Sequence, residues 1–220
     1  MKRIIAELLT IITVLFSCGC SNNKAILDND TVDADKTAEV KVIQVKAQFG
    51  DPKSFNAVYG FCDQMVMARV KSVGESYILG GELDTTGDEA SIAQQMIGIR
   101  TPYEIEIVNV YKGDAMAGDT MTVVSAHGTL EGYSVDFGLP IPEVGKTYIM
   151  PLSCVYGTDE WSICATAMAE VGLDVTASTA SIVDTTVEII PLMFESVYEG
   201  IHSVADIDAA VTAITNTMTE

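Results

Sequence analysis

Apolar and polar positions alternate most clearly between Thr101 and Val124, TPYEIEIVNVYKGDAMAGDTMTVV. Tyr103, Ile105 and Ile107 are separated by Glu104 and Glu106, the two-residue period of a strand with one buried face. From Ile107 the run Ile-Val-Asn-Val-Tyr turns apolar on both faces, so that end is expected to enter a core covered on both sides. Lys112-Gly113-Asp114 and Gly118-Asp119 bracket a turn. Thr120 to Val124, β-branched except for Met121, fits the return strand.

Other elements follow from similar patterns. Val40 to Val45 is either a first strand or the end of a linker. Ser54 to Cys62 fits a short helix after the break at Gly50-Asp51-Pro52. Met65 to Ser72 starts as a continuous apolar run and brings Arg69 and Lys71 to one face, which predicts a strand. Leu83 to Ile99 is a long connection with a helical turn or two over Ala90 to Met96, expected to cap or overhang the domain. Tyr133 to Phe137 alternates again. Lys146 to Leu152 is a strand whose Pro151 favours an edge or a bulge, and Trp161 to Ala165 is another. Ala167 to Thr186 reads as a meander, and Val187 to Ile190 as a last strand. Ser203 can cap a helix with Asp206 three positions on. Val204, Ile207, Val211 and Ile214 then form one apolar stripe.

The N-terminus changes the picture. Lys2 and Arg3 precede an apolar segment, Ile4 to Phe16, that is too short for an ordinary membrane span. Residues 1–17 are therefore expected to be an export signal, 18–45 a flexible acidic tether, and 46–220 a single domain. The formal charge is −19, and the signal carries a net +1, so the exported part is near −20. Such a body repels phosphate backbones, which excludes nucleic acid as a partner. Asp28, Asp30 and Glu39 match positions of a calcium-binding loop. Val32 and Asp33 fall where an oxygen ligand and a glycine are needed, so the stretch reads as a solvated linker.

Two resemblances add to this reading. Leu15-Phe16-Ser17-Cys18 resembles the lipobox of bacterial lipoproteins. That implies acylation of Cys18, with Cys20 after Gly19 as the alternative acceptor, and attachment to the outer face of the cytoplasmic membrane of a Gram-positive-type bacterium. The phrases MVMARVKSVG, YEIEIVNVYKGD, AGDTMTVVS and EVGKTYIMPL occur in that order. Their pattern resembles netrin-like or metalloproteinase-inhibitor-like domains of OB type. The resemblance implies a mainly β fold, an OB-like small closed barrel with peripheral helices, here including a C-terminal one.

Chemistry is harder to find. His127 and His202 are far apart, with no metal-ligand spacing beside them. No G-x-S-x-G elbow is present, so no catalytic residue, metal or cofactor is assigned. Aromatic residues on or beside strands include Tyr77, Tyr133 and Trp161, candidates for facing a ligand as in other OB barrels. A hairpin turning at Gly157-Thr158-Asp159 would oppose Cys154 and Cys164, a candidate disulfide in an oxidising compartment. Cys62 is left as a buried small hydrophobe. The expected function is that of a non-catalytic envelope lipoprotein presenting a domain that binds a protein or carbohydrate ligand. The alternatives are an envelope enzyme or protease inhibitor with its site in the 80–99 loop, and a structural accessory subunit. Mass spectrometry of the membrane-extracted N-terminal peptide is expected to find the acyl group on Cys18. Lipid on Cys20, or none, overturns the assignment.

Overall fold

The computed structural model describes residues 40–45, 52–155, 158–172 and 186–218. The expected signal, Cys18, Cys20, the tether up to residue 39 and most of the 167–186 meander lie outside the described residues. In chain order the strands are β1 (Lys41–Gln44), β2 (Gln64–Val73), β3 (Tyr77–Ile78), β4 (Ile99–Lys112), β5 (Thr120–Ser125), β6 (Gly128–Leu130), β7 (Tyr133–Asp136), β8 (Thr147–Cys154), β9 (Trp161–Ile163), β10 (Ala169–Val171) and β11 (Ile189–Pro191). The helices are α1 (Phe55–Phe61), α2 (Glu89–Met96) and α3 (Val204–Met218).

The fold is mainly β, and five strands close into a barrel. β8 pairs with β2, β2 with β4, β4 with β5, β5 with β9, and β9 returns to β8. All these pairs are antiparallel except β5–β9, whose register is Val123 with Trp161 and Val124 with Ser162. On the side away from β2, β8 forks. Thr147 to Ile149 pair with β10, while Leu152 to Cys154 pair with β9. Pro151 sits at the crotch of that fork. Its carbonyl accepts from the Cys164 amide at 2.9 Å, so its ring nitrogen also faces away from β2 and the missing N–H costs no β2 bond.

The strand alternation fills two cores. Val66, Ala68 and Val70 of β2 point into the barrel with Tyr103, Ile105, Val123, Tyr148, Met150 and Leu152. Met65 and Met67 point outward and meet Phe55, Val58, Tyr198, Val204, Ile207 and Ile214, the layer made by α1, α3 and the helical turn Glu195–Tyr198. This double burial is why the start of β2 reads as an unbroken apolar run. In β4 the same result needs an irregularity. Met67 pairs with Asn109 but Ala68 pairs with Ile107, so Val108 is an extra residue, a β-bulge. The bulge resets the pleat. Ile107 and Val110 both pack on the barrel core, while Val108 and Tyr111 both pack on the outer core.

A smaller sheet, ordered β1–β7–β6, stands beside the barrel. α2 lays Ile92 and Met96 against Ile99, Val135, Ile43, Leu130 and Tyr133, a third core. The long connection is thus spent largely on packing, as an overhang. β1 runs parallel to β7, so of the two readings of Val40 to Val45 the strand is the one formed.

Capping fixes the helices. The Ser54 hydroxyl accepts from the Ala57 amide at the start of α1, and Asp88 accepts from Ser91 at the start of α2. Ahead of α3, Asp206 Oδ2 accepts from the Ser203 amide at 2.9 Å and the Ser203 hydroxyl accepts back from the Asp206 amide at 3.3 Å, a reciprocal box. The C-terminus of α1 is tied to the barrel by Lys112, the last residue of β4. Its ammonium donates to the Tyr59 and Cys62 carbonyls at 2.5 Å each and lies 5.2 Å from the Tyr59 ring centre. A cation on the last carbonyls of a helix satisfies acceptors that have no intrahelical donor. Lys112→Met keeps the stem and removes the charge. It is expected to lower stability by about 1 to 3 kcal/mol, read as a lower urea midpoint with unchanged slope. An unchanged midpoint would show that solvent satisfies those carbonyls equally well.

Candidate functional site

Where β4 begins and β5 ends, Ser76, Thr101, His127 and Tyr103 form a hydrogen-bonded chain that passes through both the carbonyl and the ring of His127. The pairing of Thr101 with Ser125 brings the two strand ends together. His127, two residues past Ser125, turns back over β4. Its Nε2 lies 2.6 Å from the Tyr103 hydroxyl, and its carbonyl accepts from the Thr101 hydroxyl at 2.6 Å. Thr101 Oγ1 in turn lies 2.8 Å from Ser76 Oγ, just before β3. Gly128 makes this closure sterically possible. It has φ +147°, and a Cβ there would lie 2.3 Å from Ser76 Oγ and 2.6 Å from Thr101 Oγ1.

Burial sets the protonation states. Desolvation holds the His127 imidazole below its ordinary value. It also pushes the Tyr103 phenol up to about 12. At neutral pH the pair is therefore a neutral imidazole and a phenol, in which either partner can donate. Ser125 is 1% exposed, and its hydroxyl has no hydrogen-bond partner among the described residues.

The sequence-predicted aromatics share this end of the molecule in different roles. Tyr77, on β3, donates to Glu160 Oε1, and burial with that bond pushes its phenol up to about 12. Glu160 immediately precedes β9, so the bond clasps β3 to the β8–β9 hairpin. Trp161 lies in one row with Val123 and Tyr103 and packs against the barrel core. Tyr133 packs in the third core, with the Lys41 ammonium 5.6 Å from its ring centre. All three rings are half-buried.

The expected disulfide is corrected. Cys154 and Cys164 are free thiols, and Cys62 is a buried free thiol whose pKa burial raises to about 11. Cys154 stands opposite Trp161, not Cys164. The hairpin closes with the Val155 amide donating to the Glu160 carbonyl at 2.8 Å, which moves the turn toward the N-terminus of the expected one. Cys164 Sγ instead lies 3.5 Å from Ser153 Oγ.

Beside His127 a shallow cleft of about 240 Å³ runs between the barrel rim and β6–β7. Its apolar lining includes Phe137, Leu139 and Ile141. Its polar lining is His127, Thr129, Ser134 and Asp136. Asp136 is oriented by bonds from the Gln44 amide group at 3.0 Å and the Gly138 amide at 2.7 Å. Apolar lining with a few fixed polar groups is the usual composition of a small-ligand site. Among the described residues no group of three or more His, Cys, Asp or Glu is placed to hold a metal ion. His202 lies before α3, apart from this cleft, where its amide donates to Asp206.

Periodicity could not place His127. The signal was positional: a histidine shortly after a return strand lies near the first residues of its partner strand, and Tyr103 is the inward residue there. No family model matches the chain, and no match to a curated protein is found.

The depressed His127 pKa has a calculable sign. The unfolded chain binds this proton more tightly than the folded one, so the neutral imidazole favours folding above the ordinary value of 6.5. That contribution falls as pH drops through 6.5 toward the folded value. His127→Gln is expected to flatten the loss of thermal stability between pH 7.5 and 5. An unchanged pH profile would show that the imidazole titrates as if exposed.

Proposed function

We propose that the chain is a lipid-anchored envelope lipoprotein whose OB-like barrel, of netrin-like or inhibitor-like kin, presents the His127 cleft to a ligand and carries out no covalent chemistry. The single observation that carries this is the cleft itself. Its lining combines Phe137, Leu139 and Ile141 with His127, Thr129, Ser134 and Asp136, and His127 is anchored by its ring contact with the Tyr103 hydroxyl and by the bond its carbonyl accepts from Thr101. Preorganised donors and acceptors spend little entropy on binding. The closed five-stranded barrel supports the resemblance drawn from the sequence, and export fits the high negative charge of the exported part.

The cleft chemistry favours a neutral, hydroxyl-bearing ligand over an anion. Its polar groups are two hydroxyls, a neutral imidazole and a carboxylate, and no basic side chain lines it. A phosphate or sulfate group would meet Asp136 with no compensating cation. A sugar unit of a wall polysaccharide meets these terms, with Phe137 or Leu139 against its apolar face. α2 buries Ile92 and Met96, which weighs against the 80–99 connection as the site.

The test is hydrogen exchange on the full chain with a panel of neutral oligosaccharides, muropeptides and anionic glycans. Slowed exchange over residues 126–129 and 134–137 with neutral members, lost in Phe137→Ala, is the expected result. Protection by anionic members alone, or by none, overturns the reading.

A further inference from the structure

At the far end of β4 from His127, a second concavity of about 330 Å³ opens beside the β4–β5 turn. Its lining combines the apolar Ile107, Ala115 and Met121 with Asp114, Asp119 and Thr120. Gln64 also lines it. This residue is only 7% exposed, and its Oε1 has no hydrogen-bond partner among the described residues. An orphaned buried acceptor costs about 1 to 3 kcal/mol relative to a satisfied one, so a native structure that keeps one calls for an explanation.

The surrounding turn is built to hold these groups. Gly113 has φ +98°, and a Cβ there would lie 2.6 Å from Gln64 Cγ, so the glutamine stem is pinned against the turn backbone. Asp119 is fixed three ways. Its Oδ2 accepts from the Met116 amide at 3.2 Å, its amide donates to the Met116 carbonyl at 3.1 Å, and its carbonyl accepts from the Ile107 amide at 2.8 Å. Lys112 is the nearest cation in sequence, and its ammonium is turned to the α1 carbonyls. The concavity is therefore lined by two carboxylates and by no cationic side chain.

We propose that this concavity receives a primary ammonium carried on an apolar stem, the lysine side chain of a partner protein. The stem lies along Ile107, Ala115 and Met121, the two carboxylates take the charge, and the Gln64 carbonyl takes one N–H. The terminal amide torsion of a glutamine is soft, so that oxygen can swing toward the arriving donor. A bare divalent ion fits less well. Calcium takes six to eight oxygens, more than two carboxylates and one amide provide. The negative charge of the whole exported chain draws a basic partner toward the site from a distance. The site is independent of the His127 cleft and stands or falls separately from it.

The probe is a lysine capped as its N-acetyl methylamide, titrated into the ¹⁵N-labelled full chain. Its Nε-acetylated form and calcium chloride serve as comparisons. The expected result is a set of shifts at the Gln64 side-chain amide, Asp114, Asp119 and Met121, produced by the charged probe and not by the acetylated one. Asp119→Asn and Asp114→Asn, both at exposed positions that leave the cores intact, should each weaken binding at least fivefold. Gln64→Met, which keeps the volume without the carbonyl, should weaken it as well. Equal shifts from the acetylated probe would reduce the site to an apolar dent. Shifts at the same residues with micromolar calcium would make it a metal site. No shift with the charged probe at tens of millimolar would refute the proposal outright.

Discussion

The structure depends on β2 being covered on both faces. Its inward residues fill the barrel and its outward methionines fill the layer under α1 and α3, so neither core closes without the other. β4 is the neighbour that must follow the same division, and a regular strand cannot do so over the whole of its length. The extra residue at Val108 resolves the conflict by reversing the pleat partway along. Beyond the bulge β4 runs on to Lys112, whose ammonium secures α1. The outer layer is thus fastened to the barrel at the point where the barrel strand leaves it.

Local pattern carried most of this to the surface of the sequence. The two-residue period from Tyr103 to Ile107, the apolar run at Met65, the capping pair Ser203 and Asp206 and the stripe of α3 are properties of neighbouring residues. They were legible because nothing distant decides them. The apolar run Ile-Val-Asn-Val-Tyr gave its double burial away, but the bulge behind it is a matter of register with β2 and leaves no local mark. The same holds for Cys154 and Cys164. Their separation allowed opposition, yet where the hairpin turns is set by how Val155 closes on Glu160. A shift of a few residues is enough to separate two sulfurs.

The candidate site was less legible than the fold for the same reason. His127, Thr101, Ser76 and Tyr103 come from three segments that meet only after β4 and β5 have paired. Aromatic residues marked the right end of the molecule without marking their roles. Tyr77 is a clasp, Trp161 a barrel-core residue and Tyr133 a wall of the third core. Residues beside them, polar and unremarkable in sequence, line the cleft.

The circle of the barrel is not uniformly strong. Four of its five joints are antiparallel, and the joint of β2 with β4 is the most extensive, whereas β5 meets β9 over two paired positions. A ring with one short seam behaves mechanically like a bracelet with a catch: transient openings concentrate at the catch, and the remaining strands stay paired as an open, curled sheet. Tyr77 bridges from β3 to Glu160 right at that catch. The phenol–carboxylate bond therefore lies beside the shortest joint of the ring, at the end of the row formed by Tyr103, Val123 and Trp161.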